Sequence, residues 1–208
     1  GRHLAVVDDR SSKILLAAGN LRPGEDDKNW LRQALLTEDQ FLALVEKGQV
    51  RGVAPDAPFG GMVTWEDALT LLGWSMDKYS VSKGKKFTLR LYFRTNKKVN
   101  TSYKIFVHAD RSGHRIHTDH WPLAVSKGTD GKHCIGCFQT DHWMPGDIIV
   151  DEYTRDVPYG APSGETILFM GLFNPSNEKR IKITSYNDSL VKYNGKDNRP
   201  NIGTFVVR

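Results

Sequence analysis

The chain has 208 residues, of which 39% are hydrophobic and 25% are charged, and these proportions exclude an intrinsically disordered chain. The longest apolar runs, Ile14–Ala18 and Ala68–Trp74, are far shorter than the roughly 18 residues of a membrane-spanning helix, so we expect no membrane span in this chain. The net charge of +5 is spread over small basic clusters rather than one face or module, so we expect no nucleic-acid partner.

Residues 1–61 predict a small mixed α/β appendage. Ser12–Ala18 is typical of a short strand, and Asp26–Leu36 has apolar residues at helical spacing. Because the sequence begins with Gly1 rather than Met, we expect a processed or excised piece of a longer protein.

A second helix is predicted to begin at Thr37. Thr37 and Gln40 have the spacing of a capping box, in which the threonine hydroxyl accepts a hydrogen bond from the Gln40 amide, and Gly48 is well placed to end the helix. Val53–Gly61 contains two prolines and a glycine pair, which predicts a linker. We therefore place a domain boundary between residues 61 and 62.

Residues 62–208 change to the period of two that β-strands require. Phe87–Phe93 alternates apolar and polar residues, and Lys104–His108 repeats the pattern, so each predicts a half-buried strand. Further strands are predicted at Val63–Trp65, Leu69–Trp74, Ile148–Tyr153, Thr166–Phe173, Arg180–Thr184 and Ile202–Val207. Short strands separated by Gly, Pro and Asn turns predict a mainly β fold, an antiparallel β-sandwich of the jelly-roll or immunoglobulin-like kind.

Six of the seven histidines lie between residues 108 and 142, and both cysteines lie in the same window. Three interpretations stay open. His133, Cys134, Cys137 and His142 offer the ligands that zinc prefers, although one Cys-x-x-Cys is only half of a structural zinc signature. Cys134 and Cys137 are alternatively a disulfide in an oxidising compartment. A thioredoxin-like redox pair is the third interpretation, and it requires an α/β context that this window lacks.

Signatures of common enzymes are missing from the sequence. We find no phosphate-binding glycine loop, nucleophile elbow or His-Glu-x-x-His motif. Asp151 and Glu152 are adjacent, and on a strand they point to opposite faces, so they cannot act as a glycosidase pair. We therefore favour a chain that is not itself an enzyme.

A set of motifs in fixed order gives the sequence a family resemblance. The motifs are Leu72-Gly73-Trp74, Phe106-Val107-His108, Asp119-His120-Trp121-Pro122, Trp143–Asp151 and Gly171-Leu172-Phe173. Between residues 63 and 207 the chain resembles the extracytoplasmic β-sandwich domain found with bacterial membrane-embedded glycosyltransferases of the polyprenyl-phosphate-sugar type. The Cys-containing segment between Pro122 and Trp143 departs from that family, and the transmembrane catalytic part is absent from this chain.

The resemblance implies an accessory, non-catalytic domain on the periplasmic or extracellular side of a bacterial envelope, in a parent protein that is a glycosyltransferase or is tethered to the membrane. It implies an oxidising compartment, which favours the disulfide. We expect no cofactor, with zinc as the alternative. An envelope glycan or a membrane or periplasmic protein would be its partner. The alternatives are a protein-interaction module without sugar affinity and a metal-dependent enzyme that uses the His/Cys window.

Two of these motifs supply the candidate ligand-binding residues. Aromatic rings can stack on a sugar ring while carboxylates and imidazoles bond its hydroxyls, and binding residues concentrate in loops on a rigid scaffold. The candidates are Asp119, His120, Trp121, Trp143, Asp147 and Asp151. The alternative is that these residues hold their loops in place by local hydrogen bonds and proline turns.

If the cysteines form a disulfide, the unreduced protein should resist alkylation, and reduction should expose two thiols. Intact-mass measurement after alkylation checks this. Two labels on the unreduced protein would reject the disulfide, and zinc released together with those labels would indicate a metal site.

Overall fold

The computed structural model describes residues 35–123, 126–127, 134–135 and 138–208. The predicted strand Ser12–Ala18 and most of the predicted helix Asp26–Leu36 lie outside these residues. The side chains of the Cys134/Cys137 pair also lie outside them, so the disulfide stays a prediction. No helix in the described part of the chain is both long and apolar enough to span a membrane.

The described residues form a sandwich of two sheets, which confirms the predicted mainly β fold. The strands of the first sheet are β1 (Leu35–Leu36), β2 (Val63–Trp65), β3 (Leu69–Met76), β5 (Lys86–Thr95), β10 (Ile148–Asp156) and β13 (Ile183–Tyr186). They lie in the order β1-β10-β5-β3-β2-β13, and all are antiparallel to their neighbours.

The strands of the second sheet are β4 (Ser80–Val81), β6 (Lys104–Arg111), β7 (His114–His117), β11 (Gly164–Asn174), β12 (Lys179–Arg180) and β14 (Asn201–Val207). They lie in the order β4-β14-β11-β6-β7, with β12 paired to β11. Outside the two sheets, β8 (Ser126–Lys127) pairs with β9 (Cys134–Ile135), and a short 3-10 helix covers Thr140–His142.

The core lies between the two sheets. In β5 the alternating residues Phe87, Leu89, Leu91 and Phe93 are all buried there, as the periodicity predicts. In β11 the core-facing residues are Leu168, Met170 and Leu172. Burial of these apolar side chains on the facing sides of two sheets is the main force that holds the sandwich together.

Residues 35–61 pack against the sandwich. Helix α1 (Glu38–Glu46) begins with the predicted capping box, because the Thr37 hydroxyl accepts from the Gln40 amide at 3.1 Å and the Gln40 side chain accepts from the Thr37 amide at 2.9 Å. The helix ends before Gly48, whose φ of +65° is the left-handed conformation that favours glycine. Phe41 of α1 is fully buried and contacts Tyr92 on the outer face of the first sheet. The domain boundary after residue 61 stays a prediction.

Three predicted elements need correction. Leu35–Leu36, placed at the end of a helix, is strand β1, because it pairs with Ile148 and Ile149 of β10. The predicted strand Arg180–Thr184 is two strands, since β12 joins the second sheet and β13 the first, with the chain crossing between the sheets at residues 181–182. The pairing of β14 with β4 is parallel, which the antiparallel prediction did not include.

We expect Leu89→Asp to lower the free energy of unfolding by at least about 3 kcal/mol, because it buries a carboxylate without a partner in the core. Val206→Asp is the matched control: Val206 is 40% exposed on β14, and a surface change there should cost less than about 1 kcal/mol. Chemical denaturation of the two variants measures the difference. Equal stability of both variants would show that the assigned strand register is wrong.

Candidate functional site

Aromatic and charged residues cover the outer face of the second sheet. In β11, Phe169 and Phe173 point away from the core, and in β6 Phe106 and His108 do the same, with Phe169 directly opposite His108. Phe106 and His108 are almost completely buried although they face outward. The half-buried pattern predicted for Lys104–His108 is therefore wrong on this face, because other residues lie over the strand.

Arginine side chains supply much of this cover. The Arg180 guanidinium lies 4.9 Å from the centre of the Phe106 ring, and the Arg199 guanidinium lies 4.0 Å from the centre of the Phe169 ring. Both distances are within the range of cation–π attraction. Gly171 allows this packing, since a Cβ at this position would lie 2.6 Å from the Phe106 ring and 2.8 Å from the Asn198 carbonyl oxygen. The outer face is thus held in a defined arrangement.

Asp110 joins this cover to the hairpin of β6 and β7. Its two carboxylate oxygens each accept a hydrogen bond from Arg115 at 2.8 Å, and Oδ2 also accepts one from Arg199. Partial burial acts to raise the pKa of Asp110, but the bonds and charges of Arg115 and Arg199 outweigh it and hold the pKa below its ordinary value. Asp110 therefore stays ionised at neutral pH and fixes both arginines.

Asp110 and Arg199 each line one open pocket. One, of about 630 Å³, is lined by residues of β6, β7 and β11 that include Asp110, Arg115 and His117. The other, of about 500 Å³, is lined by residues that include Phe169, Arg199 and Tyr186. The second pocket combines flat aromatic surfaces with hydrogen-bonding side chains. Its remaining polar and aromatic lining residues are Asp188, Lys192, Tyr193, Asn194 and Asn201.

The hairpin of β6 and β7 brings two histidines together, with their rings edge-on to each other. Ser112 and Gly113 form its two-residue turn, and both have positive φ, as a type I′ turn requires. This turn sets the register in which His108 lies opposite His117, with ring centres 4.9 Å apart. Asp119 follows β7, and its Oδ1 lies 3.4 Å from Nε2 of His108.

Asp119 keeps its negative charge in this position. Burial acts to raise its pKa, but the hydrogen bond with His108 and the charges of His108, His117 and His120 outweigh burial and lower it. A carboxylate and two imidazoles are therefore in contact at one edge of the second sheet.

His120 and Asp151 form a buried ion pair that connects the two sheets. The His120 backbone exchanges hydrogen bonds with Ile105 of β6, and its Nε2 donates to Oδ2 of Asp151 in β10 at 2.8 Å. Asp151 is completely buried, and its other oxygen accepts from the Leu123 amide at 2.8 Å. The His120 ring also stacks on Tyr153, with ring centres 4.1 Å apart.

Both ring nitrogens of His120 face hydrogen-bond acceptors, which favours the doubly protonated ring. Nδ1 faces the Thr118 carbonyl, and Nε2 faces the Asp151 carboxylate. Burial by itself lowers the pKa of His120, but the charge and hydrogen bond of Asp151, with the Thr118 carbonyl, raise it above its ordinary 6.5. The ion pair therefore stabilises the fold fully below pH 6.5, and its contribution is lost as the pH rises through the raised pKa.

The structure separates the six sequence-predicted binding residues into two groups. Asp119 and Trp121 reach the surface at the edge of the second sheet, where the Lys104 ammonium lies 5.0 Å from the centre of the Trp121 ring. The other four, His120, Trp143, Asp147 and Asp151, are buried.

The buried residues hold loops and core in place. Trp143 has no exposed surface, contacts the Phe93 ring and donates from Nε1 to the Phe138 carbonyl at 2.8 Å. Asp147 accepts from the Met144 amide at 2.7 Å and so closes the turn before β10. The hydrogen-bonding alternative considered for these motifs therefore describes Asp147, Asp151 and His120, and Trp143 offers no ring face to a ligand at the surface.

The predicted zinc ligands His133 and Cys137, and the side chain of Cys134, lie outside the described residues. His142 is described, half-buried in the 3-10 helix, with Nε2 4.0 Å from a carboxylate oxygen of Asp141. Within the described part of the chain, His108, His117 and Asp119 are the one group of three whose potential metal-binding atoms lie together, all within 4.8 Å of one another.

Sequence reasoning missed most of the residues of the outer face. Ile167–Phe173 is apolar or glycine at every position, a pattern typical of a strand covered on both faces, and this was the available signal for Phe169 and Phe173. Nothing local marks Arg199 as the partner of Asp110, because the two are 89 residues apart.

Comparisons with known proteins give structural similarity only. No family model matches the sequence, and no curated protein matches it. The fold is similar to the C-terminal domain of wzt at 10% identity, over 76% of this chain and 80% of that chain, with a TM-score of 0.45. It is also similar to a Niemann-Pick type C2 protein from Japanese carpenter ant at 11% identity, over 70% of this chain and 99% of that chain, with a TM-score of 0.37. At such low identities and TM-scores these similarities carry no argument about function.

We expect Asp151→Asn to lower the free energy of unfolding by about 3–5 kcal/mol at pH 6, since it leaves the buried His120 without its counter-charge. In the parent, stability should decline as the pH rises above 6.5, and the variant should lose that decline. Urea titrations at several pH values between about 5.5 and 9 measure both effects.

Glu152→Gln is the matched control on the same strand. Glu152 points to the opposite face and binds Arg90 at the surface, with its side chain 50% exposed, so its loss should cost less than about 1 kcal/mol. If the two variants were equally stable at pH 6, Asp151 and His120 would not form the proposed ion pair.

Proposed function

We propose that this chain is a non-catalytic binding domain that recognises a glycan on the outer face of its second sheet. The observation that carries the proposal is the pocket where Phe169, Tyr186 and Tyr193 meet Arg199 and Asn201. Flat apolar rings beside amide and charged groups match the two kinds of surface on a sugar, its apolar ring face and its hydroxyls.

Tyr186 is the best-placed aromatic contact. Its side chain is 47% exposed, and its ring meets that of Tyr193 edge-on at 5.4 Å, so the ring is held in place while a face remains accessible. An aromatic ring that is already fixed before binding loses little conformational entropy when a ligand stacks on it. The Arg199 guanidinium is likewise held by Asp110 and Phe169 before any ligand arrives.

The shape of the surface supports recognition of a chain-like ligand. Both pockets are open to solvent, and Asp110 of the first is hydrogen-bonded to Arg199 of the second, so a ligand of several sugar units could contact both. Asp110, Arg115 and His117 in the first pocket would then bond hydroxyls or acidic groups of the same ligand. Neighbouring basic and acidic groups suit a glycan that carries both hydroxyl and charged substituents.

The proposed setting is the extracytoplasmic side of a bacterial envelope, where the domain would serve a membrane glycosyltransferase or an envelope assembly. Its support is the sequence resemblance of residues 63–207, including the motifs around Asp119 and Asp151. In this setting the domain would hold the acceptor or product glycan, and catalysis would belong to the membrane part of the parent protein.

A glycan array followed by calorimetry on the full chain tests the proposal. We expect the parent to bind an oligosaccharide, and we expect Tyr186→Ala to weaken that binding at least about 10-fold, which corresponds to about 1.4 kcal/mol. Tyr159→Ala is the matched control, because Tyr159 is 82% exposed but does not line the pocket, and its affinity should equal that of the parent.

Three outcomes would contradict the proposal. Absence of oligosaccharide binding by the parent would reject glycan recognition and favour a protein partner. If Tyr186→Ala and Tyr159→Ala lost affinity for the oligosaccharide equally, the contribution of Tyr186 would not be specific to the pocket. If Trp121→Ala lost oligosaccharide binding while Tyr186→Ala kept it, the binding site would lie at the β7 edge instead.

A further inference from the structure

Three metal-binding side chains meet at the β7 edge of the second sheet. His108, His117 and Asp119 each offer one ligand atom, and these atoms all lie within 4.8 Å of one another. Nε2 of His108 and Oδ1 of Asp119 are 3.4 Å apart. Ligand atoms about 2.0–2.1 Å from a tetrahedral zinc ion lie about 3.3 Å from each other, so this pair already has the required spacing.

The fold positions these groups before any ion binds. His108 is 6% exposed in the centre of β6, and the two-residue turn of the hairpin places His117 directly opposite it. The backbone of the next turn is fixed as well, because His120 pairs with Ile105 and its side chain binds Asp151. Asp119 is therefore next to a residue whose position is fixed. Only small rotations of the exposed His117 and Asp119 side chains would then be needed to bind an ion.

Hydrogen bonding leaves part of this cluster unsatisfied. In the described part of the chain, the buried Nδ1 of His108 has no hydrogen-bond partner, and Nε2 of the same ring lies a long 3.4 Å from Asp119. A buried imidazole without a good partner is costly to keep in a protein interior. A cation bound at Nε2 would give the ring a stronger interaction than this long contact, while Nδ1 would carry the proton of the neutral imidazole.

We propose that His108, His117 and Asp119 bind a divalent transition-metal ion, with zinc the best match, and leave a coordination position open beside the pocket lined by His117 and Asp110. Two imidazoles and one carboxylate with a free position is a common ligand set for such ions. Mg²⁺ and Ca²⁺ prefer oxygen ligands and should not compete. This site is separate from the cysteine-containing set predicted from sequence, and it does not depend on glycan binding.

Zinc titration of the full chain carrying Cys134→Ser and Cys137→Ser tests the proposal without interference from thiols. We expect one zinc ion per chain by calorimetry and a zinc-dependent rise in melting temperature, with no such rise in Mg²⁺. Co²⁺ should give the visible spectrum of a nitrogen- and oxygen-ligated ion without a thiolate charge-transfer band.

Substitution of the ligands then locates the ion. His117→Ala and Asp119→Asn should each weaken zinc binding at least about 10-fold while leaving the metal-free melting temperature close to the parent value, because both side chains are exposed. Asp156→Asn, which removes an exposed carboxylate at the end of β10, should bind zinc as the parent does.

Two results would overturn the proposal. One is the absence of zinc binding once both cysteines are replaced, which would assign any zinc of the parent to the thiols. The other is zinc binding that His117→Ala and Asp119→Asn leave unchanged, which would assign the ion to other residues. His108 is not used as a test position, since replacing this buried residue would disturb the sheet itself.

Discussion

The positions of Asp119 and Trp121 at the edge of the second sheet depend on one buried ion pair. His120 is bonded through its backbone to β6 of the second sheet and through its side chain to Asp151 in β10 of the first sheet. This contact joins the two sheets at the edge of the sandwich and fixes residues 118–123. Among the described residues, no other buried charge pair links these two strands. Asp119 and Trp121 reach the surface because the residue between them is anchored. Removal of either charge would leave the other buried and unpaired, so the link is costly to break.

The two outer faces of the sandwich are used differently. Helix α1 packs on the outer face of the first sheet, where Phe41 completes a small second hydrophobic cluster with Leu72, Tyr92 and Ile148. Arginine side chains and aromatic rings cover the outer face of the second sheet, where Asp110 binds two of the guanidinium groups. A pocket of about 590 Å³ remains on the first sheet beside α1, lined by residues that include Leu44, Ser75 and Tyr92. On the second sheet, the guanidinium groups that lie over aromatic rings leave hydrogen-bond donors beside the proposed glycan pocket.

The sequence motifs named candidate binding residues but not their burial. Asp119, His120 and Asp151 were named together, and the sequence could not show that Asp151 is completely buried while Asp119 is accessible. Burial depends on which strand passes over which, and Asp151 meets His120 across 31 residues. Trp143 illustrates the same difficulty, because an indole ring can stack on a sugar or pack in a protein core. Only the tertiary structure, in which Trp143 packs against Phe93, shows that it is a core residue.

Local signals determined the parts of the fold that need only neighbouring residues. The capping box of Thr37 and Gln40, the glycine that ends α1 and the alternation of β5 each act within a few residues, and each was correctly predicted from the sequence alone. Tertiary structure decided the rest. The crossing between β12 and β13, the parallel pairing of β4 with β14 and the contact of Arg199 with Asp110 bring together segments distant in sequence. These contacts are stabilised by complementary surfaces that exist only after both sheets have formed, so no local sequence pattern predicts them.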